Sequence, residues 1–110
     1  MKKMRAFKLT ERDPRTGCRE LRIQGDLDLA VTEQLEDALD SATDCQEIWI
    51  DLSECDFIDS TALAIFVNTY AQMRETGRRL FLYHPSAQVA RVLEVTGLNR
   101  DGLVIEQPHS

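Results

Sequence analysis

Five polar residues in two short stretches have the type and spacing to do chemistry. Asp26 and Asp28 stand in Gly25-Asp26-Leu27-Asp28, while Asp59, Ser60 and Thr61 stand in Phe57-Ile58-Asp59-Ser60-Thr61-Ala62-Leu63. A hydroxyl placed just ahead of a helical apolar pattern can cap the helix by accepting from its free N–H groups, and a phosphate at the same point would meet the positive end of the helix dipole. Ser60 suits both states, with Thr61 as the alternative acceptor. A phosphoryl group there brings a charge of about -1.5 to -2 at neutral pH close to Asp59, and to Asp26 and Asp28 if the two stretches adjoin. The plainer reading makes Ser60 an ordinary cap and the aspartates turn formers that bond their own loops. A different chemistry would gather Asp26, Asp28 and Asp59 into an acidic Mg²⁺ cluster for phosphoryl transfer to an aspartate. Domains of that kind pair the acyl phosphate with a Lys late in the chain, and the lysines here are Lys2, Lys3 and Lys8.

The surrounding pattern says what must position these residues. Phe7 and Leu9 alternate with Lys8 and Thr10, and Leu21 and Ile23 with Arg22 and Gln24, which predicts two half-buried strands. Asp13-Pro14-Arg15-Thr16-Gly17 supplies the turn of an antiparallel hairpin between them. Val31, Leu35, Ala38, Leu39 and Ala42 then fall on one helical face, with Thr32 as the expected N-cap. Ile48-Trp49-Ile50-Asp51-Leu52 has the β-branched and aromatic content of a central strand covered on both faces. A second helix is expected over about 60–74 and is stopped by Gly77; Leu80-Phe81-Leu82-Tyr83 follows as a strand. A third helix opens after Pro85 and ends at Gly97, and Leu103-Val104-Ile105 closes the chain as a short strand. The order β-β-α-β-α-β-α-β predicts a single α/β domain over residues 1–110, with an ordered core of about 5–106. It pairs an N-terminal hairpin with a mostly parallel sheet of about five strands, joined by right-handed crossovers. In such a sheet ligands and partners meet the loops beyond the carboxyl ends of the strands, which is where both loaded stretches fall.

Composition narrows the function further. At 110 residues the chain is long enough for one core without staples. Thirteen Lys and Arg against nineteen Asp and Glu give a net charge of -6, which disfavours nucleic acid and anionic lipid surfaces. The basic start is followed by alternating residues, unlike a secretory signal, and no run reaches the ~18 apolar residues of a membrane span. Cys18, Cys45 and Cys55 fit neither a disulfide framework nor a zinc spacing, so a reducing cytoplasm is expected. Cys45 and Cys55 read as small buried apolar groups, His84 and His109 as structural or surface residues, and Arg78 and Arg79 as a solvated strand entry. Neither GxxxxGK[ST] nor GxGxxG is present, and two distant histidines assemble no nucleophile set. The chain is therefore expected to have no catalytic residues, cofactor or metal of its own.

With these residues in view, the sequence resembles the STAS domains, and within them the bacterial anti-sigma-factor antagonists. The residues that carry the resemblance are Gly25-Asp26-Leu27-Asp28, Asp51-Leu52-Ser53, the stretch from Phe57 to Leu63, and Thr96-Gly97-Leu98, in the family's order and spacing across essentially the whole chain. The resemblance implies that Ser60 is the phosphorylated residue and that Asp26, Asp28, Asp59, Ser60 and Thr61 form the partner-binding face. The implied partner is an anti-sigma factor with Ser-kinase activity, which holds the ATP and Mg²⁺, releases a sigma factor on binding the unphosphorylated domain, and ejects the domain by phosphorylating it. A Ser phosphatase would reset the switch. The family also includes scaffold subunits of stress-sensing and lipid-transport assemblies. One departure is visible: the family carries Gly two residues after the Ser, where this chain has Ala62, which favours helix and removes backbone freedom.

Overall fold

The structure is a computed structural model, and it describes residues 6–96 and 104–105. The expected turn at Gly97, the Gly97-Leu98 part of the last helix's end, Leu103, His109 and the exact limits of the 5–106 core lie outside the described residues. Strands β1 (Lys8–Arg15) and β2 (Cys18–Leu27) form the hairpin, pairing Lys8 with Gln24 and Arg12 with Glu20. The strands run closer to the turn than the Pro suggested: Asp13 and Pro14 sit where the register shifts, and the chain reverses at Thr16-Gly17, with Gly17 at φ +80°. Almost all of β1 is exposed, with Leu9 alone half-buried within the strand. Gly25 is required, because its φ is +92° and a Cβ there would come within 3.1 Å of the Ala6 carbonyl oxygen and 3.2 Å of the Phe7 Cα.

Strands β3 (Glu47–Ile58), β4 (Arg79–Tyr83) and β5 (Val104–Ile105) extend the sheet in the order β1-β2-β3-β4-β5, parallel from β2 onward. Helices α1 (Thr32–Asp40), α2 (Ser60–Glu75) and α3 (Ala87–Thr96) are the crossovers. Each crossover steps one strand in the same direction, so the right-handed rule puts all three helices on one face. The burial pattern agrees. Leu21, Ile23, Ile48, Ile50, Leu52, Leu80 and Leu82 are buried against Leu35, Leu39, Phe66, Met73, Val89 and Leu93. Among the alternate residues of the same strands, Arg22 is exposed and Trp49, Phe81 and Tyr83 are half-buried. The central strand is thus not covered by helices on both faces as its apolar run suggested. Trp49 instead packs on Phe81 at 4.3 Å between ring centroids and on Tyr83 at 5.6 Å.

Two local expectations are corrected. Thr32 does not cap α1; Val31 holds the cap position without a side-chain bond, and the Thr32 hydroxyl donates to the Leu29 carbonyl at 3.1 Å. A 3-10 turn, Leu29–Val31, precedes the helix, and Asp28 caps it. Arg78 is not a solvated entry. Half-buried, it donates to the carbonyls of Cys45 at 2.7 Å and Ala42 at 3.0 Å, fixing the chain between α1 and β3. Gly77 does stop α2, at φ +75°, with the Arg78 N–H returning to the Met73 carbonyl at 2.7 Å.

Candidate functional site

Strand β3 runs through Ile58, so Phe57 and Ile58 are strand residues, and β2 carries Asp26 and Leu27 in the same way. The two loops shrink to little more than Asp28 and Asp59. Between Arg22 and Gln24, and again between Gly25 and Asp26, β3 takes one residue more than β2, so it bulges twice before its end. The bulges bring Phe57 opposite Asp26 and Ile58 opposite Leu27.

Asp51, the one buried charged residue among those described, holds the first bulge. At 4% exposure it accepts the Ser53 N–H at 2.9 Å, faces the Arg22 Nε at 3.4 Å, and has the His84 Nδ1 at 3.8 Å. A bulge withdraws an N–H from the strand ladder, and a carboxylate two residues back satisfies it without leaving the strand. The sequence marked Asp51 as part of a motif but gave it no role; an acid inside an otherwise apolar strand was the available signal. His84 is half-buried at φ +54°, directly before Pro85, a conformation disfavoured for a residue with a Cβ. Beyond it, the Ser86 hydroxyl donates to the Cys55 carbonyl at 2.9 Å and ties the start of α3 to the bulged tail of β3.

Beyond the bulges the two aspartates act alike. Asp28 accepts the Ala30 N–H at 3.0 Å and opens the 3-10 turn, and Asp59 accepts the Ala62 N–H at 3.0 Å and opens α2. Asp59, not Ser60, is therefore the N-cap, and the Ser60 hydroxyl is not used for capping. Ser60 is the first residue of α2 and is exposed; Thr61 beside it is half-buried, and Ala62 is fully buried in the first turn. Asp26, Asp28 and Asp59 are half-buried. The structure thus brings all five sequence-derived residues to the carboxyl ends of two neighbouring parallel strands. It does not make a metal centre of them: the Asp28 and Asp59 carboxylates are engaged by backbone N–H groups, and among the described residues no group of three or more His, Cys, Asp or Glu is placed to hold a metal ion. The arrangement lends the Mg²⁺ cluster reading no support.

Below the rim, Cys55 is fully buried; its thiol donates to the Phe57 carbonyl at 3.4 Å, and burial pushes its pKa up to about 11. Burial likewise raises the Cys18 thiol, while Cys45 is only half-buried. Tyr83 donates to the Glu20 carboxylate on the open face, and burial followed by that bond raises its pKa well above the usual phenol value.

Residues 12–106 match the family model described as "Mlab, STAS domain". An anti-sigma-B factor antagonist of Staphylococcus aureus is 28% identical over 81 residues, which is 72% of this chain and 75% of the relative. Among solved structures, the anti-sigma factor antagonist SpoIIAA in its unphosphorylated form superposes with a TM-score of 0.78 at 20% identity, covering 94% of this chain and 90% of that one. The Bacillus cell fate determinant SpoIIAA in the phosphorylated form gives 0.72 at 20% identity over 94% and 93%. Among the described residues no helix is long and apolar enough to cross a membrane.

Proposed function

Because the chain belongs to the STAS domain family, we propose that it is an anti-sigma factor antagonist switched by phosphorylation of Ser60. In this reading the unphosphorylated domain binds an anti-sigma factor that is also a Ser kinase, a sigma factor is freed, and transfer of a phosphoryl group from the partner's ATP to the Ser60 hydroxyl ends the contact. The chain contributes a substrate hydroxyl and a docking rim, works in the cytoplasm, and performs no catalysis. A Ser phosphatase restores the binding form.

The observation that carries the proposal is the exposed Ser60 hydroxyl at the first position of α2, with Asp59 taking over the capping. Because the cap does not depend on the hydroxyl, modification leaves the helix start intact. The half-buried Thr61 is the less accessible acceptor. A phosphate at Ser60 joins Asp59 on a rim that also carries Asp26 and Asp28, and unit charges ~6 Å apart repel by roughly 3 kcal/mol at an effective dielectric of 20. Since about 2.7 kcal/mol is a hundredfold in affinity, one or two contacts with acidic groups of a partner are enough to release it without a change of fold.

The test is incubation of the protein with ATP and each Ser kinase encoded beside its gene, with the phosphate located by mass spectrometry. An acid-stable phosphate on Ser60, together with loss of binding by Ser60→Glu, is the expected result. A hydroxylamine-labile acyl phosphate, or equal binding of the wild type and Ser60→Glu to the kinase, would overturn the proposal.

A further inference from the structure

We infer that Leu29 and Phe57 are the apolar anchors through which the unphosphorylated domain grips its anti-sigma partner, and that the partner offers an apolar recess edged by Arg or Lys. The inference rests on the switch reading above. Isolated exposed apolar side chains are ordinary on protein surfaces, so their grouping decides the matter. Leu29 is 70% exposed and Phe57 49%, among four large apolar residues exposed in the described part of the chain. Both stand on the rim that carries Ser60. Phe57 lies opposite Asp26 in the strand register and three residues before Ser60; Leu29 follows Asp28 and lies two residues from Leu27, whose carbonyl accepts the Asp59 N–H.

Charge identifies the occupant. The anchors are interleaved with Asp26, Asp28 and Asp59, so a partner that buries them must bring basic groups to these acids. The contact then runs along α2 and not α1. From Ser60 to Met73, α2 contains no charged residue, and Ala64, Val67, Asn68 and Ala71 are exposed; α1 exposes Glu33, Glu36, Asp37 and Asp40. The basic edge lies against the aspartates; at Ser60 itself the partner's acidic groups tolerate a hydroxyl and repel a dianion.

The experiment measures the affinity of Leu29→Gln, Phe57→Thr and the double variant for the kinase that modifies Ser60 in the preceding test, without ATP. Val95→Gln is the control; Val95 is 80% exposed near the carboxyl end of α3, toward the opposite end of the sheet. Each anchor variant should weaken binding about tenfold or more, mainly through faster dissociation, with Val95→Gln within about twofold of wild type. The ratio between wild type and anchor variants should persist in high salt, which screens the acidic contacts but not apolar ones. If Ser60→Glu abolishes binding while the double variant binds like the wild type, the anchors fall and the switch stands. If no kinase modifies Ser60, both fall together.

Discussion

The backbone N–H of Asp59 donates to the carbonyl of Leu27 at 3.0 Å, joining the residue that opens α2 to the last residue of β2. Asp59 is thus held by its own backbone on one side and holds the Ala62 N–H on the other. Ser60 projects from a fixed platform, which is the condition for a modification to act as a change of charge and not as a local unfolding.

Asp59→Ala removes the cap and should cost about 0.5–2 kcal/mol in urea unfolding, with faster hydrogen exchange at the Ala62 amide. Asp59→Asn keeps an acceptor at the same place and should stay within about 0.5 kcal/mol of the wild type. If the two variants lose the same stability, the bond to Ala62 contributes little.

Asp51→Ala strands the Ser53 N–H in the bulge and leaves Arg22 without its nearby carboxylate, at an expected cost of about 1.5–3 kcal/mol. Asp51→Asn still offers an oxygen to Ser53 and should recover at least half of that. Denaturant midpoints measure both, and amide shifts at Phe57 and Asp59 show whether the rim moves when the bulge loses its acceptor.

Stability should decline above about pH 9. Burial pushes the Cys55 thiol up to about 11 in the folded protein, from an ordinary value of 9.0. At intermediate pH the unfolded chain has lost a proton that the native state retains, so unfolding becomes easier as pH rises. The contribution is fully present below pH 9 and disappears through about pH 11; two pKa units correspond to about 2–3 kcal/mol. Urea melts at pH 8 and pH 10.5 should show the decline, and Cys55→Val should shrink it. The raised Tyr83 and Cys18 act in the same direction, so a residual slope is expected in that variant.

Much of this arrangement was legible in the sequence. The period-2 and helical patterns recovered the order of the elements, and Gly77 marked the end of α2 because it supplies the left-handed backbone that stop requires. The rim residues were found by type and spacing. The missing pieces depend on contacts between distant parts of the chain. Whether Thr32 or Asp28 caps is decided by the inserted 3-10 turn, and whether Asp59 or Ser60 caps is decided by where the bulged end of β3 delivers the chain. Bulges have no periodic signature, so an apolar count ended the central strand at Leu52, six residues before it ends. Arg78 looked solvated because its two carbonyl partners lie more than thirty residues away in sequence.

Strand β1 forms one margin of the sheet, and its residues are nearly all exposed. Lys8, Glu11, Arg12, Asp13 and Arg15 line that margin with both signs of charge, and Pro14 interrupts it with a residue that has no amide hydrogen to give. A foreign strand trying to zip onto it would meet mismatched charges and a broken ladder. Polymerisation through this margin is therefore discouraged even in a cell crowded with identical copies.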